Sequence, residues 1–158
     1  MTKPEFRFAE RRDTALILQF IKDLAEYEKM ADLVVATPEM LEEEIFEKRK
    51  AEVLFVMENG REVGFALFFH NFSTFLGRAG LYLEDLFVLP EFRGKGYGKA
   101  TLKKLAQIAV ERGCGRFEWW CLDWNRPSID FYLSLGAESM GEWTTYRIAG
   151  EKLLKLAE

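Results

Sequence analysis

Histidine appears once in 158 residues, cysteine twice and proline four times. With His70, Cys114 and Cys121 scattered along the chain, the clustered ligands of a zinc site are missing, so no metal is expected. Two isolated thiols provide no disulfide framework, and the opening Met-Thr-Lys-Pro-Glu-Phe lacks the apolar segment of a secretion signal. A reducing, cytoplasmic setting is therefore expected. Long apolar runs are also missing: the longest, Val63 to Phe69, falls well short of the roughly 20 residues that span a bilayer, so no membrane insertion is expected. Nor is there surplus positive charge, since 22 Lys and Arg face 26 Asp and Glu for a net charge of -4. The surface as a whole attracts neither nucleic acid nor anionic membrane, and cationic partners are favoured.

What is present is an ordinary globular composition, 49% hydrophobic and 30% charged, in a length that suits one domain spanning residues 1–158. Aromatic residues, at 15% with 14 Phe, are abundant, as expected of a pocket lining or a homodimer interface. Phe6 and Phe8 alternate with charged residues, which predicts a strand. Asp13 is placed to cap a helix bearing Leu16, Phe20, Leu24 and Tyr27. Thr37-Pro38-Glu39 predicts a second helix start, with Met40, Leu41, Ile45 and Phe46 on its apolar face. Val53–Met57 and Val63–Phe69 flank Asn59-Gly60, a pair suited to a tight hairpin. A polar loop is predicted from Asn71 to Gly80, then a strand over Leu81–Leu89 that Pro90 closes. Leu102, Leu105, Ala106 and Ala109 recur at helical spacing up to Gly113. Arg116–Leu122 reads as a strand, Pro127–Leu135 as a short helix, and Trp143–Ile148 as a last strand before a C-terminal helical turn. The order βααβββαβαβ predicts an α/β (α+β) fold, a mixed sheet covered by helices.

Arg93-Gly94-Lys95-Gly96-Tyr97-Gly98, between a strand and a long helix, is the most informative stretch. Its glycines permit main-chain conformations that aim successive N–H groups at one point, and the helix N-terminus adds its positive end. An anion is expected there, with Arg93, Lys95 and Lys99 adding charge beside it. The Gly-Lys-Ser/Thr ending of a P-loop and the Gly-x-Gly-x-x-Gly spacing of a dinucleotide fold are both absent.

Arg93-Gly94-x-Gly96-x-Gly98 resembles the pyrophosphate-binding motif of the GNAT superfamily of N-acetyltransferases. Leu81 to Val88, Asp123 to Tyr132 and Ala25-Glu26-Tyr27-Glu28 are similar to segments of the spermidine/spermine (diamine) and thialysine acetyltransferases. The resemblance implies the GNAT fold, a central and mostly antiparallel sheet flanked by helices. It implies acetyl-CoA as cosubstrate, held by the main chain of Leu86, Phe87 and Val88, by residues 93–99 including Gly94, Gly96, Tyr97 and Gly98, and by Asn125, Ser128 and Tyr132. It implies Glu84 as the group that accepts or routes the amine proton, Tyr132 as general acid, and Tyr27, Glu28, Glu84, Asp85 and Trp143 as contacts to a small cationic amine. Homodimers are common among such enzymes. Arg126 departs from the pattern, standing where an acidic residue is expected, and Leu133-Ser134-Leu135 lacks the basic residues of the polyamine enzymes. Transfer itself is left intact by these changes, but the choice of amine is left open.

The chemistry gives the carboxylates a purpose. A primary amine of pKa about 10.4 is protonated at pH 7, and exposing its lone pair costs roughly 4.6 kcal/mol. A nearby base, acting directly or through water, offsets that cost, and a main-chain N–H near Phe87 is placed to steady the oxyanion. Glu84 and Asp85 are adjacent, so on a regular strand they would point to opposite faces. Pairing with arginine is their structural alternative, and packing on the sheet is equally open for Tyr27. Direct transfer in a ternary complex is preferred over an acyl-cysteine, because nothing in the sequence links His70 to either thiol. Two other readings remain, a protein N-terminal or lysine acetyltransferase and a noncatalytic acyl-CoA sensor.

Overall fold

The computed structural model describes residues 3–158, and the chain divides into two compact units, Met1–Trp120 and Cys121–Glu158. The first unit is built on one five-stranded sheet in the order β1-β2-β3-β4-β5. Its strands are β1 (Glu5–Phe8), β2 (Glu52–Glu58), β3 (Arg61–Ser73), β4 (Arg78–Val88) and β5 (Phe117–Trp119). The first four are antiparallel neighbours and β5 joins β4 in parallel. A mixed, mostly antiparallel sheet is thus observed as expected. Among the described residues, the helices α1 (Thr14–Tyr27), α2 (Pro38–Leu41, continued as a π-helix over Glu42–Glu47) and α3 (Tyr97–Glu111) belong to this unit.

Strand alternation divides the core between the two faces of the sheet. Val53, Phe55, Met57, Phe65 and Phe87 point one way and close over Ile17 and Phe20 of α1 and Ile45 beyond α2. Phe20 is the hub, stacked on Phe65 at 5.5 Å and tilted against Phe55 at 6.2 Å and Phe87 at 6.3 Å. Val56 and Val63 point the other way and pack with Tyr97 of α3.

Local chemistry explains most of the element ends. Thr37 accepts a hydrogen bond from the Met40 N–H with Pro38 at the first helical position, as the sequence predicts. Asn59 and Gly60 both take positive φ, 49° and 79°, so β2 turns into β3 with no spare residue. Asp13 differs from expectation. It stands at the start of α1, but its carboxylate is taken by Arg7, at 2.8 and 3.0 Å, and by the Glu10 N–H, so it ties β1 to the helix entry instead of capping α1. Met40 is 52% exposed and Ala106 lies on the outer side of α3, so those two predicted core positions are corrected to surface.

Two sequence readings are overturned, and a third, the strand over Arg116–Leu122, is cut back to Phe117–Trp119, the stretch that finds β4 as a ladder partner. The segment expected as a loop, 71–80, is mostly ladder: Asn71, Phe72 and Ser73 pair with Gly80, Ala79 and Arg78, leaving only Thr74–Gly77 as the turn. Polar residues suit this solvated hairpin end, and Gly80 fits because a Cβ there would collide with Asn71 Oδ1. The strand expected at Trp143–Ile148 does not form. Residues 143–149 carry no regular structure, and the second unit consists of α4 (Arg126–Ser134), α5 (Glu151–Leu156) and connecting chain. A strand exists only where a neighbour supplies ladder bonds, and this unit contains no other strand.

Gly64 of β3 lies tight against the β4 main chain, since a Cβ there would lie 2.5 Å from the Phe87 carbonyl oxygen and 3.1 Å from the Val88 Cα. Both obstacles are main chain and cannot swing aside. Gly64→Ala is expected to destabilise the protein by about 1–3 kcal/mol, read as a lower urea midpoint at unchanged slope.

Candidate functional site

The site is organised by one irregularity in β4. Leu67 pairs with Asp85 and Phe68 with Leu83, so Glu84 is an extra residue without a partner on β3, a β-bulge. The bulge resets the alternation. Tyr82 opposes Phe69 and Asp85 opposes Leu67, which places both on the α1 side with Phe87, whereas an unbroken strand would put Tyr82 and Asp85 on opposite faces. Glu84 and Asp85 therefore do not diverge as adjacent strand residues would. That expectation is corrected by the bulge.

On its other edge β4 is paired with β5 only over Leu81–Leu83. From Glu84 to Val88 it keeps β3 on one side and, among the described residues, has no strand on the other. Phe87 is buried in the core, so the main-chain edge, not the side chain, is what Leu86, Phe87 and Val88 present to a ligand. An extended amide-bearing molecule can add to such an edge as a strand would.

Glu28 reaches the same region from α1. That helix ends in a Schellman arrangement, with Met30 N–H bonded to Ala25 O at 2.8 Å, Lys29 N–H to Glu26 O at 3.0 Å, and Lys29 at a φ of 60°. The stop fixes Tyr27 and Glu28 at the negative end of the helix dipole. Burial, then the nearby charges of Glu84 and Glu28, push the Asp85 carboxyl up to about 7. Glu28 is raised as well, by burial first and then by Glu84. Tyr82 is raised by burial, with Glu84 and Glu118 adding to it. Crowded carboxylates that resist ionisation together form a site that gains from an arriving cation.

The glycine turn adjoins the end of β4. Gly94 and Gly96 take φ of 78° and 83°, a region side chains disfavour, and a Cβ added at Gly94, Gly96 or Gly98 would meet no atom within 4 Å. The open space over three glycines at the start of a long helix fits a diphosphate. Among the predicted cations, Arg93 is exposed but folds back over the end of β4. Its Nε donates to the Val88 carbonyl at 2.8 Å, and its guanidinium lies 5.0 Å from the Tyr27 ring centroid and 5.2 Å from that of Phe87. Lys95 donates to Glu58 at 3.1 Å, and Lys99 is exposed on the first turn of α3. The Tyr97 side chain is only 2% exposed and belongs to the core, so Tyr97 can face an anion only through its main chain.

The remaining predicted residues lie in the second unit. Asn125 caps α4 by accepting from the Ser128 N–H at 3.4 Å, so both have a structural role there. Tyr132 sits on α4 with its ring 5.6 Å from that of Phe131, and Trp143 is 76% exposed. Glu58 escaped the sequence reading: an acid before a hairpin turn looks solvated, and its partners lie 37 and 39 residues away.

The profile of the Acetyltransferase (GNAT) family matches residues 18–137. Thialysine N-epsilon-acetyltransferase of Sus scrofa is 38% identical over 163 residues, spanning 96% of this chain and 95% of that protein. Spermidine/spermine N(1)-acetyltransferase-like protein 1 of Homo sapiens is 32% identical over 97% of this chain but only 24% of its own length. Among solved structures, an integron cassette protein from the mobile metagenome of V. cholerae superimposes with a TM-score of 0.82 at 29% identity, covering 100% of this chain and 99% of that one.

Because the folded state holds the Asp85 proton more tightly than an unfolded carboxyl near 3.8, this residue's contribution to stability falls as pH rises from about 4 to about 7 and is flat above. Asp85→Asn is expected to remove that slope and to raise stability at pH 8 by roughly 2–4 kcal/mol, measured by denaturant unfolding across the pH series.

Proposed function

The chain belongs to the acetyltransferase (GNAT) family and is an N-acetyltransferase with that family's fold, and from this premise we propose that it transfers the acetyl group of acetyl-CoA to a primary amine of a small cationic molecule. The observation that carries this reading is the bulge of β4, which gathers three carboxylates at the start of an unpaired strand edge that runs on toward the glycine turn. The names of the relatives, thialysine and spermidine/spermine acetyltransferases, support an amine acceptor that bears a second charged group. The family profile runs across the boundary between the two units, which supports one catalytic domain comprising both.

When bound, acetyl-CoA supplies an acyl group already activated as a thioester. The main chain of residues 94–98 and the edge of β4 would hold it, by diphosphate capture and by strand addition respectively. Glu28, Glu84, Asp85 and the negative end of α1 hold the ammonium group. Glu84 takes the amine proton, directly or through water, in a ternary complex. Asp85, half-protonated near neutrality, spares the cluster a third full negative charge while it waits for the cation. Tyr132 acts as proton donor on the leaving side. Neither Cys114 nor Cys121 is needed for direct attack.

Release of free thiol from acetyl-CoA, followed with spermidine, spermine, short diamines, thialysine, lysine and peptides, tests the reading. Turnover is expected on a small amine, with losses of about 100-fold or more for Glu84→Gln and Tyr132→Phe and near-normal rates for Cys121→Ala. Turnover on peptides alone would replace the small-amine acceptor, and loss of activity in folded Cys121→Ala would replace direct attack.

Assembly as a homodimer is part of the same proposal, supported by large apolar side chains that the chain leaves open, including Phe75, Val110 and Tyr146. Light scattering is expected to return twice the 18.4 kDa chain mass; a monomer mass at working concentration would remove the dimer from the proposal.

A further inference from the structure

Glu58 is the last residue of β2, and one of its oxygens, Oε1, serves two donors from a distant part of the chain. It accepts the Tyr97 hydroxyl at 2.5 Å and the Lys95 ammonium at 3.1 Å. Its side chain is 16% exposed, and the Tyr97 hydroxyl, then Lys95, hold its carboxyl below the usual range, so it is ionised at neutral pH.

The two donors flank Gly96, the left-handed residue from which α3 starts. Gly94 and Gly96 have no side chains to restrict them, and a turn of this composition loses more freedom on ordering than any other. Something must hold it. One hold is Arg93, tied to Val88 and stacked on Tyr27 and Phe87. The other is Glu58, whose grip on residues 95 and 97 spans Gly96. Glu58 itself cannot drift, because Asn59 and Gly60 turn the chain immediately after it and Glu58 is paired with Arg61 across the hairpin. Tyr97 is equally fixed, its ring packed with Val56 and Val63.

We propose that Glu58 is a positioning residue for the acetyl-CoA phosphates, holding residues 95–97 in the anion-receiving conformation through Tyr97 and keeping Lys95 beside the turn. The inference rests on the function proposed above. A carboxylate next to a phosphate site is unfavourable in charge, so it aids binding only where the order it imposes outweighs the repulsion. The two contributions are separable. Glu58→Gln keeps an acceptor for the Tyr97 hydroxyl and deletes the charge, whereas Glu58→Ala deletes both and orphans a phenol. Tyr97→Phe deletes the hydroxyl alone.

Calorimetric titration of the full chain with coenzyme A tests this. Wild type is expected to bind, Glu58→Gln to bind at least as tightly, and Glu58→Ala and Tyr97→Phe to bind about tenfold more weakly. In steady state the KM for acetyl-CoA should rise by the same factor in the two weakened variants, while kcat and the turnover of S-acetylpantetheine, which lacks the diphosphate, stay within twofold. If Glu58→Ala fails to fold, Tyr97→Phe carries the test. Unchanged coenzyme A affinity in the folded variants, or equal losses with S-acetylpantetheine, would overturn the positioning role alone. Absence of coenzyme A binding by the wild type would overturn the proposed function and this inference with it.

Discussion

One unpaired residue in β4 is the constraint on which the site depends. Without the bulge at Glu84, the alternation of the strand would carry Asp85 to the face opposite Tyr82, and only one carboxylate would share the side of Glu28. With it, three acids from two elements converge, and beyond the bulge the strand has β3 alone as a partner. A bulge costs ladder bonds, and here the surrounding ladder is long enough to bear that: β3 and β4 run antiparallel from Ser73 and Arg78 to Gly64 and Val88.

The two ends of this short stretch are opposite in electrical character. Toward the bulge lie Glu28, Glu84 and Asp85, and toward the end of β4 lie Arg93, Lys95 and Lys99 with the positive end of α3. Neither pole is visible in the net charge of -4. Arg93 binds one pole to the other physically, since its guanidinium stacks on Tyr27, next to Glu28, while its Nε holds the carbonyl of Val88.

Much of this was legible in the chain because the relevant signals are local. Asn59-Gly60, Thr37-Pro38 and the glycine turn each constrain the main chain by their own stereochemistry, and each has the predicted geometry. What the sequence hid depends on partners far away. A bulge is a mismatch between two strands, so nothing in Leu-Glu-Asp-Leu announces it. Asp13 reads as a helix cap until Arg7 is placed beside it, and Glu58 reads as solvated until α3 delivers Tyr97. Trp143–Ile148 has the alternation and the β-branched and aromatic residues of a strand, yet propensity cannot supply a hydrogen-bonding neighbour.

Under the proposed function, the burial of Asp85, with Glu84 and Glu28 close by, also makes the acceptor site a charge regulator. Near pH 7 that carboxyl is about half protonated, so an incoming ammonium group displaces part of a proton from it into solvent. On that reading, capture of the amine carries a buffer-dependent heat and tightens with rising pH, even while the amine itself stays cationic. The negative charge of the carboxylate cluster is then not a fixed quantity but one that an arriving cation helps to create.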